Sequence, residues 1–276
     1  MRRIRIDGGE IAYEERGAGP PVVLLHAGVC ADWFAGLMAE PALAGAYRLI
    51  RCHRPGYGGS DPVEGAVTVA RMAEHCRALL RHLGVERAHL VGHSSSAVIA
   101  LQLAIDHPEV VHSLALLETA LLAVPSGSFA GDALRSFAAG NRPEAVDIWM
   151  RGVCGPRYRE VFDAVLPGAI DRAAADAGTF FGQELPAVRA WSFGPAEAGA
   201  VTRPVLLVLG ERSADVSAAF AERHALLRSW LPRAEPFVLP GANHLMHLQN
   251  PAGLAVRLAA FFAREAGPAG NRSATL

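Results

Sequence analysis

The stretch Val91-Gly92-His93-Ser94-Ser95-Ser96-Ala97 decides how the rest of the chain is read. It follows a short apolar run, His89-Leu90-Val91, and opens a segment of helical period from Val98 onward. A serine on a sharp turn between a strand and a helix is the setting of a nucleophile elbow, in which the hydroxyl stands exposed at the end of a sheet. Such a turn needs small residues around the serine so that the backbone can tighten. Gly92, Ser96 and Ala97 meet that need, although Ser96 stands where the strict G-x-S-x-G pattern has its second glycine.

Outward from this motif, short apolar runs alternate with longer stretches of helical period, the pattern of an α/β protein with a mostly parallel sheet wrapped by helices. Eight strands are predicted, at residues 3–7, 11–15, 22–26, 47–53, 88–92, 113–118, 204–210 and 235–239, the first two forming an edge hairpin across Gly8-Gly9. A helix after residue 67 is capped by Thr68, carries Val69, Met72, Cys76, Leu79, Leu80 and Leu83 on one face and ends at Gly84. Others are expected at 96–107, 218–230 and 252–265. Between Glu118 and Pro204 the composition is helical, punctuated by Pro143, Pro156, Pro167 and Pro186, with no strand. So long an excursion between neighbouring strands is an inserted helical module. The expected organisation is a core of residues 1–120 and 201–268, a helical cap at 121–200 and a flexible tail at 269–276.

Composition narrows the function classes. Half of the 276 residues are apolar (51%), 19% are charged, and the formal net charge is -1. That balance offers no basic surface for nucleic acid and does not fit a disordered chain, so a small uncharged or mixed substrate is the expected partner. The densest apolar runs, 22–25 and 205–209, fall far short of the roughly 20 residues of a membrane span. Charge interrupts the N-terminal Met1-Arg2-Arg3-Ile4-Arg5-Ile6-Asp7, leaving no signal-peptide core, and a cytoplasmic monomer or homodimer is expected. Cys30, Cys52, Cys76 and Cys154 are scattered without a C-x-x-C pair, so neither a metal site nor a disulfide framework is expected.

Three further motifs accompany the elbow. His26-Ala27-Gly28 follows the third predicted strand; Arg54-Pro55-Gly56-Tyr57-Gly58-Gly59-Ser60-Asp61 follows the fourth; and Leu239-Pro240-Gly241-Ala242-Asn243-His244 follows the eighth, with Pro251 seven residues beyond the histidine. With these, residues 1–266 resemble the α/β-hydrolase fold family, serine hydrolase branch. The departures are Ala27 for a glycine, His53 for the usual aspartate, and Ser96. A serine hydroxyl needs a base to become a competent nucleophile. The resemblance makes Ser94 the nucleophile and His244 the base, and assigns the backbone N–H groups of Gly28 and Ser95 to the oxyanion, with no cofactor. His93 is expected to be a structural hydrogen-bonder, and His26, His53 and His247 are candidates for the pocket wall.

The acid that orients the histidine has two candidates. In most relatives it stands three residues past the glycine that ends the seventh strand, a position held here by Ser213; Asp215 lies two residues further on. Glu118 closes the apolar run Ser113-Leu114-Ala115-Leu116-Leu117 outside any charge run, and family members such as haloalkane dehalogenases place their acid after that strand. Glu118 is preferred, with Asp215 the alternative. Trp33, Cys30, Phe180, Phe181 and Trp191 are the expected substrate contacts, and Trp149 and Phe193 the cap's own core. The leading reading is hydrolysis of a small, largely apolar ester or lactone. Carbon–carbon bond hydrolysis or a non-hydrolytic biosynthetic reaction on the same triad is a second. A small-molecule receptor with little turnover is a third. The fold alone does not decide among them.

Overall fold

The computed structural model describes residues 1–62, 64–122, 124 and 127–265; the expected tail at 269–276 lies outside them. All eight apolar runs are strands: β1 Arg2–Ile6, β2 Gly9–Arg16, β3 Pro21–Leu25, β4 Arg48–Cys52, β5 Ala88–His93, β6 Val111–Leu117, β7 Val205–Gly210 and β8 Glu235–Leu239. They form one sheet in the order β1-β2-β4-β3-β5-β6-β7-β8. The pairs β1/β2 and β2/β4 are antiparallel and the rest parallel. The chain direction across the sheet reverses between β3 and β5, and the crevice beyond the carboxyl ends of such strands is where open α/β sheets place their ligands.

Strand alternation divides the core. Val23 and Leu25 of β3, Leu114 and Leu116 of β6, and Leu207 of β7 face one layer. Val22, Leu24, Ala115, Leu117, Leu206 and Val208 face the other. The first layer is closed by α1 (Val69–His82) and α2 (Ser95–Asp106). As expected, α1 starts at Thr68, whose hydroxyl accepts the Arg71 N–H at 3.1 Å. Its Leu79 and Leu80 are buried, which for side chains of this size stabilises by about 1.5–3 kcal/mol each.

Between β6 and β7 the chain forms α3 (Phe129–Ala138), α4 (Arg142–Cys154), α5 (Tyr158–Val165), α6 (Ala169–Ala175), a π-helical turn Phe180–Glu184 and α7 (Leu185–Ala190). After β7 come α8 (Ala219–Trp230) and α9 (Pro251–Glu265), the latter covering the second layer. The helices between β6 and β7 build a third apolar cluster with Ala27, Val29, Cys30, Trp33 and Tyr57 from the loops after β3 and β4, and with Leu245 and Leu248 from the loop after β8. They therefore lie over the carboxyl ends of the strands.

Candidate active site

Four loops converge at that end of the sheet. Ser94 directly follows β5 with φ 55° and ψ −117°, a backbone conformation that residues other than glycine rarely adopt. It is held there from both sides: its N–H donates to the Leu117 carbonyl (2.9 Å), and its own carbonyl accepts the N–H groups of Ala97 and Ala120 (both 3.1 Å). Gly92 makes the turn sterically accessible, because a β-carbon there would fall 2.5 Å from the Ser96 carbonyl oxygen and 2.6 Å from the Ala97 Cα.

Glu118 directly follows β6, also at positive φ (44°). Its Oε2 accepts the His244 Nδ1–H at 2.6 Å, and both side chains are buried. Its Oε1 accepts the Gly210 N–H at 2.8 Å and the Ser213 hydroxyl. With Nδ1 carrying the proton toward a carboxylate, Nε2 is left as the acceptor nitrogen. Asp215, the alternative acid, is exposed and pairs with Arg212, so it does not reach the histidine. The His244 loop is fixed by Asn243, whose amide Nδ2 donates to the Cys154 carbonyl at 3.0 Å and whose Oδ1 accepts the Leu245 N–H at 2.9 Å.

Ser94 and His244 line one cavity together with Ala27, Gly28, Ser95, Trp33, Ala120 and Leu122 from the sheet side. From α4, the π-helical turn and α7 come Trp149, Met150, Val153, Phe180, Glu184, Leu185 and Val188. Its free volume is about 30 Å³, the scale of a water molecule or two. Phe180 closes it: a β-carbon on Gly28 would lie 2.3 Å from the Phe180 ring.

Several expected contacts stand elsewhere. Trp191 donates its indole N–H to Gln102 Oε1 at 2.7 Å and stacks on Phe193 against the first core layer, away from this cavity. Phe181 stands behind Phe180, against Phe137 and Trp149. Cys30 is buried in the third cluster outside the lining, and burial pushes its thiol up to about 12, which suits packing rather than nucleophilic chemistry. His93, expected to be a structural hydrogen-bonder, makes ring contacts with His244 (4.4 Å between centroids), His247 (4.7 Å) and Trp33 (5.1 Å). Burial, with His244 and His247 beside it, holds the His93 imidazole well below its ordinary range; burial lowers His247 to about 3. His26 accepts the Arg54 N–H at Nε2 and bonds the Ala27 carbonyl through Nδ1, bracing its own turn rather than facing the cavity. His53 is tied to Asp32 and the Gly59 N–H, also away from the cavity.

Sequence reading missed Glu184. Its carboxylate is buried, bridged to the buried Arg54 guanidinium at 2.8 Å and accepting the Tyr57 hydroxyl. A lone acid inside the apolar run Phe180-Phe181-Gly182-Gln183-Glu184-Leu185 was the available signal.

The alpha/beta hydrolase family model matches residues 22–257, and the chain belongs to that family of hydrolytic enzymes. A 2-(acetamidomethylene)succinate hydrolase of Mesorhizobium japonicum is 30% identical over 268 residues, covering 90% of both chains. The dihydrolipoyllysine-residue acetyltransferase component of the acetoin cleaving system of Cupriavidus necator is 37% identical over 112 residues, 41% of this chain; that match spans only 30% of the relative's length. Among solved structures, the enol-lactonase from Burkholderia xenovorans LB400 superposes with a TM-score of 0.79 over 95% of this chain and 100% of that one, at 19% identity, a likeness of fold. No helix of the described residues is long and apolar enough to cross a membrane.

Proposed function

We propose that the chain is a serine hydrolase that cleaves an ester or lactone bond of a small, largely apolar substrate through an acyl-enzyme. The observation that carries this reading is the buried 2.6 Å bond between Glu118 and His244 on the cavity that Ser94 also lines. Ser94 Oγ attacks the carbonyl carbon and its proton passes to His244 Nε2. Glu118 keeps Nδ1–H fixed and stabilises the imidazolium that forms. The charge that develops on the carbonyl oxygen is met by the backbone N–H of Ser95 at the start of α2. The imidazolium then protonates the leaving alkoxide, and water, activated by the same histidine, releases the acid.

Residues 121–200 act as a cap. Trp149, Met150, Val153, Phe180, Leu185 and Val188 give the cavity an apolar roof, which favours an apolar acyl or alcohol group. Four cysteines without disulfide partners fit a reducing compartment, in keeping with a cytoplasmic enzyme.

Intact-mass analysis after treatment with a fluorophosphonate tests the mechanism. One adduct on the wild-type chain that disappears in Ser94→Ala is expected. No adduct, or one that survives the substitution, would falsify the proposal.

A further inference from the structure

The two serines that follow Ser94 both reach the turn after β3. The Ser96 hydroxyl donates to the His26 carbonyl at 2.5 Å, and the Gly28 N–H donates to the Ser95 hydroxyl oxygen at 3.0 Å. The Gly28 N–H expected to face a substrate carbonyl is therefore already engaged by a side chain.

The turn is held in that orientation. The Gly28 carbonyl accepts the Trp33 indole N–H at 2.9 Å and the Cys30 N–H at 3.0 Å, and the Phe180 ring is packed onto the Gly28 Cα. The Gly28 N–H shares its peptide plane with the Ala27 carbonyl, which accepts from His26 Nδ1 at 2.7 Å, so turning that plane away from Ser95 would break the His26 bond as well. The Ser95 hydroxyl accepts one hydrogen bond and retains its own hydrogen. Among the described residues no group receives that hydrogen, and Ser95 lines the cavity beside Ser94 and His244.

Resting on the acyl-enzyme reading above, we infer that the Ser95 side chain is a catalytic hydrogen-bond donor to the oxyanion, with the Gly28 N–H acting behind it. A carbonyl oxygen that accepts the Ser95 backbone N–H lies next to the same residue's hydroxyl, so one residue supplies two donors. The hydroxyl already accepts from Gly28, which polarises its O–H bond and makes it a stronger donor as negative charge builds. Hydrogen bonds alone change in this step; no additional proton is transferred. Ser96 is a positioning residue: its bond to the His26 carbonyl fastens the turn to the start of α2. A glycine there, as in the strict elbow motif, lacks the hydroxyl for that bond.

The test compares wild type, Ser95→Ala and Ser96→Gly on p-nitrophenyl butyrate, with a thermal melt of each. Ser95→Ala is expected to lower kcat by about a hundred- to a thousandfold, the scale of one lost oxyanion donor, with KM within about twofold and a matching fall in the rate of fluorophosphonate labelling of Ser94. Ser96→Gly is expected to show a smaller loss in kcat. A Ser95→Ala kcat within about threefold of wild type, or above it, overturns the inference: the hydroxyl then only occupies the seat of the carbonyl oxygen. Should Ser95→Ala fail to melt cooperatively, a crystal structure of wild type bearing an alkyl boronic acid on Ser94 decides. Ser95 Oγ within hydrogen-bond distance of a boronate oxygen supports the inference; Gly28 N–H on that oxygen with Ser95 Oγ turned away overturns it. Failure of the parent reading is separate, since wild type would then take no fluorophosphonate label.

Discussion

Two buried acid–base pairs border the same cavity, and they are made of opposite chemistry. Glu118 and His244 both come from loops of the sheet, and the carboxylate is fixed by Gly210 and Ser213 so that its second oxygen addresses the imidazole. Arg54 and Glu184 join the loop after β4 to the π-helical turn, with Tyr57 as a third member. An imidazole gains and loses a proton near neutral pH, whereas a guanidinium keeps its charge. The first pair can therefore pass through two states during a reaction. The second holds one state and ties the helices between β6 and β7 to the sheet. Burial alone does not distinguish a pair that works from a pair that fastens; the basic partner does.

The sharpest way to break this comparison is to remove the acid of the first pair, with the exposed Asp215 as the control. Glu118→Ala is expected to lower kcat on a p-nitrophenyl ester by roughly ten-thousand-fold, the scale seen when a triad acid is lost, while Asp215→Ala stays within about twofold. Steady-state kinetics on the two proteins checks this, and equal losses would end the distinction.

Arg54→Met should act on stability instead. It strands a buried carboxylate, at a cost of about 3–5 kcal/mol in urea unfolding, and the double change Arg54→Met with Glu184→Leu should recover most of the loss. If the single variant unfolds like wild type, the pair is not a fastening.

A smaller effect is expected at the closure of the cavity. Gly28→Ala drives a β-carbon into the Phe180 ring, costing about 1–3 kcal/mol by overpacking, and Phe180→Leu in the same chain should relieve it. Denaturant midpoints of wild type and the two variants measure this.

The mildest arm concerns pH. The folded-state value of His247, about 3, lies below its ordinary 6.5, so between these limits the unfolded chain binds a proton that the folded chain refuses. That contribution to stability is intact above pH 6.5 and declines as pH falls toward 3. His247→Leu should make the fall of unfolding free energy between pH 6 and 4 shallower by up to about 1.4 kcal/mol per pH unit. An unchanged slope in a folded variant would show that His247 takes up its proton without cost.

Much of this was legible in the chain itself. The strands at the centre of the sheet announce themselves by short apolar runs, at 22–25, 114–117 and 205–209, as strands buried on both faces do. Glu118 could be preferred over Asp215 because a carboxylate ending such a run has no solvated face to explain it. The part Ser213 plays could not be read. Its hydroxyl serves the acid that follows β6, a relation that exists only because β6 and β7 are neighbours in the sheet. Trp191 was misplaced for the same kind of reason: composition marks it as a buried ring, but its Gln102 partner, on α2, decides which side of the sheet it joins. Glu184 escaped notice because its charge is answered by a residue 130 positions away.

Among the described residues, three that are not glycine have positive φ: Val29 (73°), Ser94 (55°) and Glu118 (44°), and all three stand in the loops that build the site. Each such conformation costs on the order of 1–3 kcal/mol. Selection for a hardier protein alone would thus work against the chemistry. Glycine at position 94 would relax the backbone and raise the melting temperature of a protein that no longer has its proposed nucleophile. Persistence of serine there through drift would mark a lineage in which turnover, and not mere folding, is what is being kept.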